Sequence, residues 1–313
     1  MPGTSGAGKA PTEAQVRFGR FEIIDRFDVA GGGFDALARA DDRDVRLWVG
    51  APGSGAPGTE AALDALRKRL ATIYHASLPT VLGGELIEGR AVLLFHAYRG
   101  RRLSEALAEG RLEPASAIDV VRAVGAGLVK AHRVGVAHGG ITTDEILRSE
   151  DGRTLLLHLG FRPFLGRRLP RAPDDLEAPD GTEPGDVFAL ARVLVECLEG
   201  RDPFPPGPEG LAALASTSPR DPESFSPDLP QGLRRLLARA LHPDPARRMR
   251  RAEELAGDLG VLRASWDSLS QAPPRPVIPF PAFLQRGRLA ALAVGLALLG
   301  LLVYRACGWE KPG

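Results

Sequence analysis

Cysteine is scarce in this sequence, since only Cys197 and Cys307 occur among its 313 residues. Two cysteines so far apart exclude a disulfide framework and a zinc knuckle, and they indicate a reducing compartment for the bulk of the protein. Net charge is nearly absent as well, because 40 Lys and Arg against 39 Asp and Glu leave +1. This balance excludes a polybasic nucleic-acid-binding protein and an acidic tail protein, so no nucleic-acid partner is expected.

Lysine is the other rare residue. The chain has four lysines (Lys9, Lys68, Lys130 and Lys311) against 36 arginines. A site that requires a lysine amine therefore has few candidates in this chain. Disorder throughout the chain is excluded by the hydrophobic fraction of 44%, which is that of an ordinary folded domain.

The hydrophobic pattern changes its period along the chain. Residues 1–17 are small and polar without periodicity, and they predict a disordered arm. Short apolar runs bounded by glycines and charges over 18–95 predict strands around one helix. Helical spacing dominates from 101 to 264. The predicted fold class is therefore α+β: a domain over 18–264, with a small β-rich lobe followed by a larger helical lobe.

The C-terminal part predicts a spacer and a membrane anchor. Residues 265–288 are rich in proline, which is typical of a stiff, extended linker. The next 16 residues carry no charge, and extension to Trp309 gives a helix of roughly 31 Å, enough to span a bilayer of ~30 Å. We predict a transmembrane helix over 289–305, a short tail over 306–313, and a cytoplasmic position for the large domain. A buried core helix is the alternative, but the segment is apolar on every face.

Seven motifs appear in the order found in bacterial eukaryotic-like Ser/Thr protein kinases, and the segment from Val29 to Ala264 resembles that family. The resemblance implies a two-lobed protein-kinase-like fold. The matching segments are a Gly-rich loop over 30–37 with Gly31, Gly32 and Gly33, a catalytic loop over 138–147, a magnesium-binding tripeptide over 158–160, the end of the activation segment over 178–180, the central helix over 186–190, its exit over 200–204, and an Arg-bearing loop over 244–248.

The resemblance also implies where the groups for phosphoryl transfer should lie, and each of those positions holds a different residue. Trp48 replaces the lysine, Leu66 its glutamate partner and Gly140 the catalytic aspartate. The later replacements are Thr142 for a second lysine, Glu145 for the asparagine, and His158 for the magnesium-binding aspartate.

Other residues near these positions also disfavour nucleotide binding. Lys68 and Lys130, the two lysines within the domain, are predicted on helices that cannot lie beneath the Gly-rich loop. Arg46 and Trp48 are expected to fill part of the nucleotide slot, and Asp35 to place a carboxylate beside the phosphates, where like charges repel. We therefore expect no catalytic residue, no bound cofactor and no metal ion.

The residues that brace the fold are retained, according to the same resemblance. They are the spine residues Leu70, His138 and Leu159, the catalytic-loop anchor Asp186, and the buried pair Asp180 and Arg248. Residues 161–180 contain no Ser, Thr or Tyr to accept a regulatory phosphate, and the substrate-docking stretch 181–185 is short. The sequence is interpreted as a membrane-anchored pseudokinase that acts as a signalling scaffold or regulator through a protein partner, such as an active kinase.

Several alternatives stay open at the level of sequence. Trp48 could be a stacking platform for an altered ligand instead of a plug. His138, Glu145 and His158 could form a metal site, although no ligand spacing supports one. An atypical active kinase, or an ATP-sensing module without turnover, would bind ATP and Mg²⁺. The arginines of the segment after His158 (162, 167, 168 and 171) form either a solvated loop or a surface for an acidic partner or an anionic lipid surface.

Overall fold

A six-stranded antiparallel sheet forms the N-terminal lobe. The computed structural model describes residues 16–29, 31–165, 172–173, 181–204, 208–216, 221–244 and 246–271. The strand order is β1-β2-β3-β4-β6-β5. The strands are β1 Arg17–Phe18, β2 Phe21–Val29, β3 Gly33–Ala40, β4 Arg43–Val49, β5 Val81–Ile87 and β6 Arg90–His96.

The first strand corrects the predicted end of the N-terminal arm. Arg17, assigned to the arm, pairs with Glu22 in the sheet. The adjacent Phe18 packs edge-on against Phe34, with ring centroids 5.4 Å apart. Burial of this aromatic pair holds the strand in place, so the folded lobe begins before residue 18.

Strand register decides which side chains of the lobe face the cleft. Asp35 of β3 pairs with Trp48 of β4, and Leu37 pairs with Arg46. On the other side of β4, Arg46 pairs with Phe95 of β6. Because side chains alternate with a period of two, these five residues lie on one face of the sheet. Helix α1 (Thr59–Ala71) buries its apolar stripe of Leu63, Leu66 and Leu70.

The C-terminal lobe is mainly helical, as predicted, but it also contains a three-stranded sheet that the helical periodicity did not indicate. Its strands are β7 Gly100–Arg102, β8 Ile146–Ser149 and β9 Thr154–Leu156. The helices are α2 Leu103–Leu107, α3 Pro114–Arg133, α4 Glu183–Glu199, α5 Pro208–Ala215, α6 Gln231–Ala240 and α7 Ala252–Gln271.

Helix α4 is the centre of this lobe. Thr182 caps it, its hydroxyl accepting a hydrogen bond from the Gly185 amide at 3.0 Å, and Gly200 ends it with a φ of +73°. Nearly every side chain from Asp186 to Leu198 is buried. A helix that is buried on nearly all sides belongs in the interior of a lobe, and helices α3 and α6 pack against this one.

Helix α7 corrects the predicted start of the linker. It continues through Gln271, whereas the sequence analysis began the Pro-rich linker at residue 265. The first proline after the helix is Pro273, so nothing before it removes an amide donor or clashes with the helical turn. The rest of the predicted linker, the predicted membrane helix 289–305 and the tail lie outside the described residues. Within the described ranges, no helix has both the length and the apolar character that crossing a bilayer requires.

Candidate functional site

Trp48, which the resemblance assigns to the lysine position, lies in the cleft between the lobes and is 1% exposed. Its ring packs on Phe95 with centroids 3.9 Å apart, and on His158 of the C-terminal lobe with centroids 5.0 Å apart. The indole Nε1 donates a hydrogen bond of 2.8 Å to the Tyr98 hydroxyl. The indole therefore fills the middle of the cleft and has its single polar atom satisfied.

His158 and Glu145 form a buried pair where the resemblance expects a magnesium-binding aspartate and asparagine. Nδ1 of His158 lies within hydrogen-bond distance of Glu145 Oε2, and both side chains are 1% exposed or less. The Nε2 atom of His158 has no hydrogen-bond partner. The backbone of His158 is left-handed, with a φ of +55°. The Glu145 carboxylate therefore has the His158 imidazole as a hydrogen-bond partner.

Asp35 lies between two arginines instead of beside phosphates. Its carboxylate is fully buried and contacts Arg46 Nε at 2.5 Å and an Arg102 terminal nitrogen at 2.6 Å. We expected this carboxylate to repel phosphates, and that expectation did not include its two guanidinium partners. Strand register turns Asp35 toward the same side of the sheet as Arg46.

Charge in this group is held on the arginines and not on the neighbouring phenol. Burial lowers the pKa of Arg46, but the attraction of the Asp35 carboxylate outweighs it, so the pKa lies above its ordinary value. Burial also raises the pKa of Tyr98, and the Asp35 carboxylate adds to that rise. Arg46 is therefore a cation and Tyr98 a neutral phenol at physiological pH.

The start of the activation segment closes the cleft from the phosphate side. Residues Arg162–Phe164 form a single 3-10 turn, and the Phe164 carbonyl accepts a hydrogen bond from the Ala51 amide at 2.7 Å. Leu165 is fully buried, and a Cβ placed on Gly33 would lie 2.7 Å from its Cδ2 atom. The space beneath the Gly-rich loop, where a phosphate would lie, thus holds an apolar side chain. The other two glycines, Gly31 and Gly32, turn with φ values of +100° and +90°.

Leu66 occupies the glutamate position on α1 and packs toward the C-terminal lobe. A Cβ on Gly160 would lie 2.7 Å from the Leu66 Cδ1 atom. Leu66 belongs to the same buried apolar cluster as Trp48 and the predicted spine residues Leu70 and Leu159. Leu66 is therefore an apolar residue where the resemblance predicts the glutamate of an ion pair, and replacement of a buried ion pair by apolar groups is often neutral or favourable for stability.

Asp186 holds the catalytic-loop backbone. Its two carboxylate oxygens accept hydrogen bonds of 2.7 Å from the amides of His138 and Gly139. His132 approaches the same carboxylate, with Nε2 at 2.8 Å. The ring of His138 contacts the Leu157 carbonyl at 2.7 Å, which makes this histidine a packing residue of the loop.

The remaining predicted positions differ in what surrounds them. Gly140 is buried, and the Thr142 hydroxyl is a buried group without a hydrogen-bond partner. Arg248 is buried with its guanidinium 5.4 Å from the Phe188 ring centroid, and its predicted partner Asp180 lies outside the described residues.

Neither of the two lysines in the described ranges lies in the cleft. Lys68 pairs with Asp64 at the surface with 68% of its side chain exposed, and Lys130 is also exposed. In the part of the chain that the structure describes, no three His, Cys, Asp or Glu side chains are arranged to hold a metal ion. The histidines and glutamate considered for such a site bond to each other or to backbone carbonyls.

Four residues of the cleft were missed by the sequence analysis: Phe27, Tyr98, Arg102 and Leu165. The contact between Arg102 and Asp35 joins residues 67 positions apart, and no local pattern indicates a pairing at that separation. A usable signal existed for the Asp35 and Arg46 pair, because both alternate onto one face of neighbouring strands.

Comparison with known proteins gives similar sequences and a similar fold. No protein-family model matches the chain. The serine/threonine-protein kinase PknA of Mycobacterium tuberculosis is 28% identical over 244 residues, which cover 72% of this chain and 56% of PknA. The kinase PknH of the same organism is 26% identical over 222 residues, which cover 62% of this chain and 35% of PknH.

Among solved structures, the crystal structure of the M. tuberculosis PknI kinase domain superposes with a TM-score of 0.62 at 21% identity. The match covers 80% of this chain and 99% of that domain. This chain spans just over half the length of PknA and about a third of PknH. The chain is therefore similar in sequence to bacterial serine/threonine-protein kinases, and its described residues have the two-lobed fold of a protein kinase domain.

Proposed function

We propose that this chain is a pseudokinase, which regulates other proteins by contact and does not transfer phosphate. The observation that carries the proposal is the packing of Trp48, at the lysine position, against His158, at the magnesium-binding position. In an active kinase, the lysine and the magnesium-binding aspartate at these two positions contact the phosphates and the metal ion. Here Trp48 and His158 form one buried ring contact, with no amine for the phosphates and no carboxylate for a metal.

The residues present do not fit magnesium and ATP. A nucleotide in the usual place would have to displace the fully buried carboxylate of Asp35 from two guanidinium groups. Its phosphates would meet Leu165 beneath Gly33. Taking Asp35 away from its partners would leave buried charges unpaired, at a cost of about 3–5 kcal/mol. This cost is comparable to a large part of an ordinary nucleotide-binding energy, about 8 kcal/mol at micromolar affinity.

The proposed activity is that of a signalling scaffold or allosteric regulator, with a protein partner such as an active kinase of the same fold. This part rests on the preserved bracing contacts, of which the hold of Asp186 on the amides of His138 and Gly139 is the clearest. A kinase-like fold that has lost its catalytic residues but kept its stabilising contacts still presents defined surfaces to a partner. Crosslinking in native membranes, followed by identification of the attached protein, tests this part; recovery of a kinase-fold partner is expected.

We also propose that residues 289–305 anchor the chain in a membrane with the large domain on the cytoplasmic side. Support comes from the uncharged run of 16 residues beginning at Leu289. Extraction of the full chain from membranes tests it. Alkaline carbonate should leave the protein in the pellet and detergent should release it, whereas release by carbonate would remove the anchor from the proposal.

Thermal unfolding of the full chain with and without ATP tests the absence of nucleotide binding. A ligand at 100 times its Kd adds about 2.7 kcal/mol, which raises Tm by about 5 °C or more in a domain of this size. We expect no shift with ATP, with or without Mg²⁺. The serine/threonine-protein kinase PknA is the positive control.

Radiolabel transfer from ATP to the chain itself or to a generic protein substrate completes the test. No incorporation is expected. A Tm shift without incorporation would instead indicate an ATP-sensing module, and incorporation would indicate an atypical active kinase; either result contradicts the proposal.

A further inference from the structure

Arg102 crosses from the C-terminal lobe to the N-terminal lobe. Its own strand β7 belongs to the C-terminal lobe, where Arg102 pairs with Leu147 of β8. The guanidinium nevertheless contacts the Asp35 carboxylate of β3 at 2.6 Å and lies 3.7 Å from the Phe27 ring centroid on β2. It also donates a hydrogen bond to the backbone carbonyl of Asp144 in the catalytic loop. One side chain therefore joins two N-terminal strands to the segment that they face.

Burial makes this contact difficult to exchange for solvent. Asp35 is 0% exposed and Arg102 3% exposed. The second oxygen of Asp35 is held by Arg46, which is itself 5% exposed. If the lobes moved apart, Arg102 would leave Asp35 or Asp144, and groups in the interior would lose their charged partner. A buried ion pair that loses one member is strongly unfavourable, so the contact resists opening of the cleft.

We propose that Arg102 and Asp35 form an interlobe latch, which holds the two lobes in one closed orientation without any nucleotide. The inference rests on the proposed function, because a chain that binds no ATP needs another group to set the orientation of its lobes. Neutral contacts close the cleft elsewhere, including the Leu156 amide, which donates to the Ser77 carbonyl at 2.9 Å. The latch adds a charged, directional contact on the side where adenine would lie. A partner would thus meet a surface of constant shape that extends over both lobes.

Hydrogen exchange of the full chain, measured without nucleotide, tests the latch. In Arg102→Met, amides of 33–38 in β3 and 143–147 in the catalytic loop should exchange at least about tenfold faster. Exchange in helix α4 should not change, since that helix lies below the cleft. Arg101→Met is the matched control, because Arg101 is adjacent in the strand but pairs with Glu109 at the surface, and it should leave both segments unchanged.

The double variant Asp35→Asn/Arg102→Met separates a latch from a merely stabilising arginine. If the two side chains act through each other, the double variant should exchange no faster in either segment than the faster single variant. Arg102→Lys keeps the charge but cannot bond two partners with a planar fork, and an intermediate effect is expected. This conservative variant also provides the measurement if Arg102→Met does not fold.

Three results would overturn the latch. The first is faster exchange confined to 143–147, and the second is faster exchange that is uniform over the chain. The third is additive effects of the two substitutions in the double variant. Any of them would mean that Arg102 does not hold the two lobes together through Asp35. The proposed function is tested separately by repeating the exchange with MgATP. Protection of the wild-type cleft by MgATP would contradict the pseudokinase proposal, whereas the exchange without nucleotide decides the latch.

Discussion

Replacement of Trp48 by alanine tests how the cleft is filled. The indole is among the largest fully buried side chains of the described structure. It lies between Phe95, 3.9 Å away, and His158, 5.0 Å away, and it donates a hydrogen bond to Tyr98. Alanine removes both ring contacts and the donor together, and it leaves an empty volume between the two lobes.

The expected loss of unfolding free energy follows from these contacts. Truncation of a buried Trp or Phe costs about 3–5 kcal/mol, because the surroundings relax only in part. Loss of the partner of the Tyr98 hydroxyl adds about 1 kcal/mol, since this phenol is 5% exposed. We therefore expect Trp48→Ala to lose about 4–6 kcal/mol. Trp48→Phe keeps an aromatic ring and should lose only about 1–2 kcal/mol.

Urea unfolding of the full chain measures these losses, provided that the m-value is the same in all variants. Tyr74→Ala is the control, because Tyr74 is 89% exposed and its removal should change stability by less than about 0.5 kcal/mol. Added indole should restore part of the stability of Trp48→Ala by filling the cavity. A loss below about 1 kcal/mol in Trp48→Ala, close to that of the Tyr74 control, would refute a packed plug at this position.

Three further predictions concern other parts of the domain. Gly181→Ala should lower the free energy of unfolding by at least about 2 kcal/mol, since the residue has a φ of +92° and a new Cβ would overlap Gly139. The control Gly257→Ala, in open space on α7, should cause no loss of stability. Equal Tm values for the two variants would contradict this prediction. Burial raises the pKa of the Cys197 thiol to about 12, so above about pH 9 the folded state keeps this proton while the unfolded chain loses it. The free energy of unfolding should therefore fall as pH rises above about 9, by at most about 1.4 kcal/mol per pH unit. In the Cys307→Ser variant, iodoacetamide should alkylate Cys197 only when the protein unfolds. The last variant restores the expected kinase residues together, with the changes Trp48→Lys, Leu66→Glu, Gly140→Asp, Glu145→Asn and His158→Asp. It should give no radiolabel transfer, because the docking stretch 181–185 stays short. Measurable transfer would contradict this prediction.

The two lobes could be predicted because their elements carry local periodic signals. The strands alternate with a period of two, and the helical stripes of α1, α4 and α6 repeat every three or four residues. The predicted boundaries of the domain differed from the observed ones at both ends. Strand β1 and the last turns of α7 were assigned to flexible segments, because short strands and polar helix ends have weak local signals.

For the candidate site, too, local sequence predicted some features, whereas others depended on contacts between distant segments. Motif order predicted Trp48 and His158 as replacements for reacting groups, and residue identity was enough for that prediction. Their ring contact, and the turn of Asp35 toward two arginines, were not predictable from either residue alone. Those contacts join elements that are distant in sequence, and they depend on strand register and on the angle between the lobes.

The sequence by itself determined which chemical groups this chain possesses, and the resemblance predicts that no lysine or aspartate stands at the usual positions of the cleft. Tertiary structure decided what those substitutions do to the cleft. The physical reason is desolvation: a carboxylate such as Asp35 repels phosphates when solvated, but it becomes a structural anchor when buried between Arg46 and Arg102. Only the packed arrangement of both lobes determines which of these two environments the carboxylate has.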